Sequence, residues 1–203
     1  MAAAQPINAA LRRVPAGVGY LVCAIPALAL LYGMFGGGLG VDPIRTLEHD
    51  LGQWALRLVI AVLCVSPLRR WGGLNLMKFR RSLGVMAFVY VVLHLMVWAV
   101  LDMGLRADLI WKDILKRPYI TIGMLAFVLM LPLALTSNDL AVRRIGAAAW
   151  ARLQKLVYPA ALAAAVHFML LVKAWPLEPM IYLVIIVVLL GLRMIRRPGR
   201  VTT

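Results

Sequence analysis

Charged residues are scarce in this chain. Only 15% of its 203 residues are Asp, Glu, Lys or Arg, whereas 64% are hydrophobic. A soluble domain typically has about 25% charged and 45–50% apolar residues. So few charges cannot cover the surface of a soluble monomer. The composition instead predicts a polytopic membrane protein, with the lipid bilayer as its solvent.

Acidic residues, cysteines and nucleotide-binding motifs are also few or missing. Eight Asp and Glu stand against 22 Lys and Arg, for a formal net charge of +14. In a membrane protein this excess is typical of cytoplasmic loops, so we expect no nucleic-acid partner. Cys23 and Cys64 lie in apolar runs without a C-x-x-C or zinc spacing, which excludes a disulfide framework. The sequence has no Walker or Rossmann fingerprint, so we expect no nucleotide-binding domain.

The apolar runs between charges predict an all-α bundle of six transmembrane helices. A membrane-crossing helix needs about 20 mainly apolar residues, and only Arg57 interrupts the second run. We interpret residues 1–203 as a single transmembrane domain. The predicted helices cover approximately 17–36, 51–68, 82–101, 118–138, 154–172 and 176–193.

Positive charges are distributed unevenly between the two sets of connecting segments. Seven of the eight acidic residues lie in one set. Most Lys and Arg residues lie in the other set: Arg12, Arg13, Arg69, Arg70, Lys78, Arg80, Arg81, Arg143, Arg144, Arg152, Lys155, Arg193, Arg196, Arg197 and Arg200. Because positively charged connections remain in the cytoplasm, we predict an inner-membrane-like topology with both termini cytoplasmic. Both termini can lie on the same side only if the number of crossings is even, and six helices meet this condition.

Two of the three histidines lie inside predicted spans at matching depths. His94 follows Arg81 by 13 residues, and His167 follows Lys155 by 12. At about 1.5 Å per residue, each imidazole lies roughly 18–20 Å from the cytoplasmic end of its helix. Intramembrane histidines normally face a partner, a cavity or a metal. Two interpretations stay open: separate packing histidines, or bis-imidazole ligation of a haem iron whose porphyrin supplies four further nitrogens.

Four further residues are weaker candidates for the site. Arg57 lies near the depth of the histidine pair, where it would either pair with a haem propionate or extend to the outer interface. His49 lies at the outer mouth, as a solvated histidine or as a contact for a redox partner or quinone. Arg81 and Gln154 mark the inner ends of the histidine helices. They serve either as simple anchors or as an entry point for an anionic cofactor such as a flavin phosphate.

Seven short segments recur in the order of a known family. The chain resembles MsrQ, the haem-binding membrane subunit of bacterial methionine-sulfoxide reductase systems, within the ferric-reductase-like transmembrane group. The resemblance covers about residues 36–174 and places His94 and His167 at the family's haem-ligand positions, with Arg81 at a basic position before the first ligand. The segments are 38–43 (GLGVDP), 66–69 (SPLR), 80–84 (RRSLG), 93–95 (LHL), 117–123 (RPYITIG), 133–137 (LALTS) and 156–158 (LVY).

The resemblance implies a b-type cytochrome of the bacterial inner membrane. Such a subunit takes electrons from a cytoplasmic flavin reductase or from quinol. It passes them to MsrP, a periplasmic molybdopterin enzyme that reduces methionine sulfoxide in oxidised envelope proteins. Flavin mononucleotide (FMN) is also associated with the family's membrane subunit.

One position departs from the family pattern. Members often carry a histidine 13 residues before the last ligand, where this chain has Gln154. Because Gln is a poor haem ligand, the resemblance favours a single haem near the outer face over a pair.

Two other functions stay open. A ferric-chelate reductase would act directly at the outer face, although a self-contained version needs a flavin and nucleotide domain that this sequence lacks. A cofactor-free transporter or assembly protein would be expected to carry paired intramembrane carboxylates. No Asp or Glu lies well inside any predicted span.

Overall fold

The computed structural model describes residues 4–171 and 177–194, and this part of the chain is all-α, without a β-strand. Two 3-10 turns, Met77–Phe79 and Gln154–Leu156, precede α4 and α9, and a π-helical turn, Val97–Asp102, extends α4. The α-helices are α1 (Ala4–Arg13), α2 (Val18–Phe35), α3 (Pro43–Trp71), α4 (Arg80–Met96), α5 (Ala107–Lys116), α6 (Pro118–Leu135), α7 (Asp139–Ile145), α8 (Ala147–Leu153), α9 (Val157–Leu171) and α10 (Leu177–Met194).

Five helical stretches of the described chain are long and apolar enough to cross a membrane, which makes this a multi-pass membrane protein. They coincide with the first five predicted spans: Val18–Phe35, Pro43–Trp71, Met77–Asp102, Pro118–Leu135 and Ala147–Leu171.

The sixth crossing stays a prediction, as does the cytoplasmic position of both termini. Helix α10 covers the sixth predicted span with 18 residues, but it is not among the five qualifying stretches. Residues 172–176 and 195–203 lie outside the described part of the chain, together with the charges that the topology prediction placed there.

Helix α3 begins eight residues before the span predicted at 51–68. Charges interrupt the apolar run there, but they do not interrupt the helix. The Asp42 side chain accepts a hydrogen bond from the backbone N–H of Arg45 at 3.2 Å, and Pro43 occupies the first helical position. Both features favour a helix start. The two additional turns bring Glu48 and His49 into the helix that lines the candidate site.

Two closely packed helix pairs form the centre of the fold. Helix α3 packs along α4, and α6 packs along α9, while α3 also contacts α9 and α4 contacts α6. Ala160, Ala161 and Ala165 of α9 are almost fully buried, because small side chains let transmembrane helices approach closely. Each pair therefore contains one of the two helices that carry an intramembrane histidine.

A tyrosine hydroxyl fixes α4 against α2. The buried Tyr90 donates to the carbonyl of Cys23 and accepts from the N–H of Ala27, each at 2.8 Å. In a regular helix the N–H of Ala27 would donate directly to the carbonyl of Cys23. Here the Tyr90 hydroxyl lies between the two groups and bonds to both, next to Pro26 of α2. Because Tyr90 lies one turn before His94, this bridge also fixes the helix that carries the histidine.

An arginine completes α3 where proline interrupts it. Pro67 has no N–H to donate to the carbonyl of Leu63. Arg193 of α10 supplies the missing donor through its Nη2 at 2.9 Å, and its Nη1 donates to the Tyr158 hydroxyl at 2.8 Å. Neighbouring helices commonly satisfy backbone groups that a proline frees within a membrane. This pair of bonds ties α10 to α3 and α9.

The two ends of the bundle differ in charge. We call one the acidic end, defined by Asp42, Glu48, Asp50, Asp102, Asp108 and Asp113, and the other the basic end, defined by Arg69, Arg70, Lys78, Arg80, Arg81, Arg152 and Lys155.

Candidate functional site

A large cavity lies between α3, α4, α6 and α9 towards the acidic end. Its volume is about 910 Å³, and both intramembrane histidines line it. Apolar and aromatic side chains form most of its inner wall, including Trp98, Phe127 and Met130. Ligand sites are typically concave, largely apolar and provided with a few convergent polar groups. This cavity has that character.

The structure brings the two predicted histidines together. The ring centroids of His94 and His167 lie 6.3 Å apart, and the ring planes are inclined by 75°. Helix α4 carries His94, and helix α9 carries His167. The matching depths expected from the sequence therefore correspond to facing side chains in one cavity.

A backbone carbonyl of α3 orients the His94 ring. The Nδ1 atom lies 2.8 Å from the carbonyl oxygen of Glu48. One turn later, Gly52 leaves room for the ring, since a Cβ atom at that position would lie 3.2 Å from the same Nδ1. A carbonyl oxygen only accepts hydrogen bonds, so Nδ1 carries the proton and the neutral ring presents the lone pair of Nε2.

The same arrangement recurs on α6 around His167. Its Nδ1 lies 2.7 Å from the carbonyl oxygen of Tyr119, four residues before Gly123. A Cβ atom at Gly123 would lie only 2.8 Å from this Nδ1. We use the term half-site for each such unit: a carbonyl, a glycine four residues later, and a histidine from the partner helix. Sequence reasoning did not assign the two glycines to the site, although a glycine within an apolar span is a usable signal.

Two oriented Nε2 lone pairs can hold one metal ion between them. A metal–imidazole nitrogen bond is about 2 Å long, so an ion shared by two imidazoles separates their ring centroids by roughly 6 Å, close to the observed distance. The described residues include no cluster of three or more His, Cys, Asp or Glu that could hold a metal alone. Two imidazoles in a large apolar cavity therefore suit a metal whose other ligands come from a planar macrocycle.

Comparison with known proteins agrees with this geometry. A family model described as the ferric reductase like transmembrane component matches residues 51–165. Curated relatives named protein-methionine-sulfoxide reductase heme-binding subunit MsrQ include one from Brucella anthropi. It is 46% identical over 181 residues, which cover 89% of this chain and 82% of that protein. Relatives with the same name from Brucella ovis and Brucella suis are 46% identical over 177 residues, covering 87% of this chain and 80% of each protein.

The chain belongs to the MsrQ family. The segment matched by the ferric reductase like model includes Gly52, His94 and Gly123, and it ends two residues before His167. Most of both half-sites therefore lies in the part of the chain that this model matches.

His49 lies at the rim of the same cavity. Its ring packs edge-on against Phe168 with the centroids 5.6 Å apart, and its Nδ1 lies 3.8 Å from a carboxylate oxygen of Asp50. About 39% of its side chain is exposed. The structure thus places His49 beside the histidine pair, where it faces solvent and Phe168.

Arg57 is directed to α10. Its Nε donates to the Tyr182 hydroxyl and its Nη2 to the Gln53 side chain, both at 2.8 Å, and its guanidinium lies 5.0 Å from the Trp54 ring centroid. It is not among the residues that line the cavity. Its assignment to a haem propionate stays a prediction.

Arg81 and Gln154 line a second, smaller cavity at the basic end. This cavity measures about 330 Å³ and also contacts Lys78, Arg80 and Trp150. The Gln154 amide donates to the carbonyl of Leu133 at 3.4 Å. None of the residues that line it is a histidine.

Ion pairs flank both cavities. Arg81 binds Asp139 at 2.6 Å, and this bond lowers the pKa of the Asp139 carboxyl below its ordinary value. At the acidic end, Arg117 donates to the Tyr119 hydroxyl at 3.0 Å and pairs with Asp113 at 3.3 Å. The bond to Tyr119 is the main reason that the pKa of Arg117 is raised.

Proposed function

We propose that this protein is a transmembrane electron-transfer subunit that holds one haem b between His94 and His167. The observation that carries the proposal is the pair of half-sites, which present two Nε2 atoms to one cavity from rings 6.3 Å apart. The Brucella relatives named heme-binding subunits support it. A bound haem would supply a one-electron iron couple within the membrane.

The chain's own residues orient and shield that couple. Each carbonyl fixes the tautomer and direction of a histidine ring, which is the usual role of a group that supports a metal ligand. The carbonyls of Glu48 and Tyr119 belong to transmembrane helices, so the support is rigid. The apolar inner wall would limit water around a bound metal, and both features would favour a fixed redox potential.

We infer that electrons enter at the basic end and leave at the acidic end. Lys78, Arg80 and Arg81 line the basic-end cavity and attract an anionic donor. A cytoplasmic flavin reductase or quinol would serve as the donor, with FMN as an additional cofactor at this end. The acceptor at the acidic end would be a periplasmic molybdopterin methionine-sulfoxide reductase of the MsrP type. We propose a bacterial inner-membrane location, with the basic end in the cytoplasm and the acidic end in the periplasm.

A single haem per chain fits the two cavities. The basic-end cavity is about one third the volume of the acidic-end cavity, and none of its lining residues is a histidine. Gln154, at the position where the family often has a histidine, instead bonds to a backbone carbonyl. We therefore propose that His94 and His167 alone would hold the haem iron.

The test is a reduced-minus-oxidised visible spectrum of the purified protein, with haem quantified as the pyridine haemochrome. We expect a b-type spectrum at one haem per chain, lost in His94→Ala and His167→Ala. A wild-type protein that remains free of haem under adequate haem supply would contradict the proposal.

A rescue experiment separates ligand loss from misfolding. In His94→Gly, free imidazole can enter the space left by the ring, and we expect it to restore the spectrum. His49→Ala tests the third histidine and should retain a six-coordinate spectrum, because neither half-site includes His49. If His49→Ala alone removes the six-coordinate signal, the ligand assignment is wrong.

Ferric-chelate reduction is a second candidate function. The matched family model carries a ferric reductase description, and the site opens where Asp42 and Asp50 lie. Electron transfer from the reduced protein to ferric citrate and to an MsrP-type enzyme can be compared directly. Faster oxidation by ferric citrate would favour the second function.

A further inference from the structure

Each half-site also contains an arginine shortly before its carbonyl. Arg45 lies three residues before Glu48 on α3, and Arg117 lies two residues before Tyr119 at the start of α6. Both arginines line the acidic-end cavity. The repeated arrangement is therefore an arginine, a carbonyl and a glycine close together in sequence, with a histidine from the partner helix; Arg45 lies within α3, and Arg117 directly precedes α6.

These arginines are the cations of the cavity. Of the described residues that line it, only Arg45 and Arg117 carry a permanent positive charge, whereas Asp42, Glu48, Asp50 and Asp102 are acidic. An anionic group entering the cavity would be repelled by these carboxylates except where an arginine compensates it.

Both arginines keep donors available. The Arg45 side chain makes no hydrogen bond or ion pair within the described chain, although it acts electrostatically on Glu48. Arg117 uses Nη1 for the Tyr119 hydroxyl and Nε for Asp113, which leaves Nη2 without a partner among the described residues. Arg57, by contrast, directs its guanidinium to Tyr182, Gln53 and Trp54.

We propose that Arg45 and Arg117 bind the two carboxylates of the macrocycle at the acidic-end mouth, one arginine from each half-site. This inference rests on the proposed haem function and deepens it. A haem has two propionates on one edge, and guanidinium groups suit carboxylates through paired hydrogen bonds. Each half-site and its neighbouring arginine would then supply one histidine to hold the iron and one counter-charge for a carboxylate.

The test compares Arg45→Gln, Arg117→Gln and the double variant with the wild type. The readouts are the midpoint potential and the rate of haem transfer to excess apomyoglobin. An uncompensated propionate favours the ferric state, so each substitution should lower the potential. Because these pairs lie at an exposed mouth, the effect should be moderate. We expect each substitution to lower the equilibrium ratio of ferrous to ferric haem two- to tenfold, where tenfold is about 59 mV for one electron. The double variant should lose haem fastest.

Two comparisons sharpen the test. Arg106→Gln removes an exposed cation of the same end that does not line the cavity, and it should change neither readout. Arg57→Gln tests the other arginine predicted to pair with a haem propionate. A double variant with wild-type potential and haem transfer would overturn the proposal, as would a larger drop in Arg57→Gln.

A charge-retaining variant controls for folding. If the glutamine variants are unstable, Arg45→Lys and Arg117→Lys keep the positive charge and should keep the potential near that of the wild type. A lowered potential in both lysine variants would contradict charge compensation. Absence of haem from the wild type would instead contradict the proposed function, so the two failures are distinguishable.

Discussion

The two cavities share most of the helices that line them but differ in what those helices present. Helices α3, α4, α6 and α9 contribute to both, and Val59 and Met130 line both. The acidic-end cavity measures about 910 Å³ and receives two oriented imidazoles, whereas the basic-end cavity measures about 330 Å³ and receives cations and the Gln154 amide.

The two cavities differ in what supports the polar residue that each receives, as well as in the type of that residue. Each histidine of the acidic-end cavity lies against a glycine that gives its ring access to a backbone carbonyl. At the basic end, Gly84 has no comparable neighbour, since a Cβ atom there would lie 3.9 Å from the nearest side chain, that of Val62. The carbonyl–glycine pair therefore distinguishes the acidic-end cavity from the basic-end cavity.

Among the substitutions that test this comparison, Gly123→Ala should have the largest effect. The added Cβ would lie 2.8 Å from Nδ1 and 3.0 Å from Cε1 of His167, so the ring must move and its bond to Tyr119 must weaken. Loss of a group that supports a metal ligand typically costs 10–100-fold in affinity. We expect a loss of that order in haem retention, measured by the haemochrome content and by transfer to apomyoglobin.

Gly84→Ala is the matched control for this substitution. It adds the same methyl group to a transmembrane helix at the other cavity, in ordinary van der Waals contact with Val62. Its haem content should equal that of the wild type. Equal haem loss in the two variants would show that the Gly123 effect is a general packing effect.

Gly52→Ala should have a smaller effect of the same kind. Its Cβ would lie 3.2 Å from Nδ1 and 3.3 Å from Cε1 of His94, so a shift of a few tenths of an ångström would relieve the contact. We expect a loss of about tenfold or less. The rates of haem transfer from the two variants to apomyoglobin can be compared directly. Faster haem loss from Gly52→Ala than from Gly123→Ala would contradict the order expected from the Cβ distances.

The sequence predicted the histidine pair but not what holds it. Depth along a helix follows from residue counting, so His94 and His167 could be matched from their spacing to flanking charges. Rotation about the helix axis does not follow from counting, and Arg57 illustrates this, because its depth suggested the cavity while its side chain points to α10. The start of α3 at Pro43 was also missed, because charged residues end an apolar run without ending a helix.

A small pH effect is expected at the basic end from Asp139. The bond to Arg81 lowers the pKa of this carboxyl from its ordinary value of 3.8. The carboxylate therefore stabilises the fold above that value, and this contribution is lost as the pH falls through the lowered pKa. Because the pair is exposed, Asp139→Asn should lower the melting temperature only slightly at neutral pH, with the difference disappearing in strong acid. Melting curves across pH would contradict this if the difference grew on acidification.

The smallest expected change comes from Gln154→His. If this substitution created a second haem site, the proposed difference between the two cavities would be wrong. The substitution restores the residue type that the resemblance associates with an inner ligand. However, the cavity offers no second imidazole, and its volume is about one third of that of the other cavity. A single new histidine also lacks a carbonyl–glycine pair to fix its tautomer. We therefore expect one haem per chain in both the variant and the wild type, by pyridine haemochrome against protein concentration. Two haems per variant chain would mean that the missing histidine alone prevents haem binding in the basic-end cavity, and that cavity size and support of the histidine ring do not.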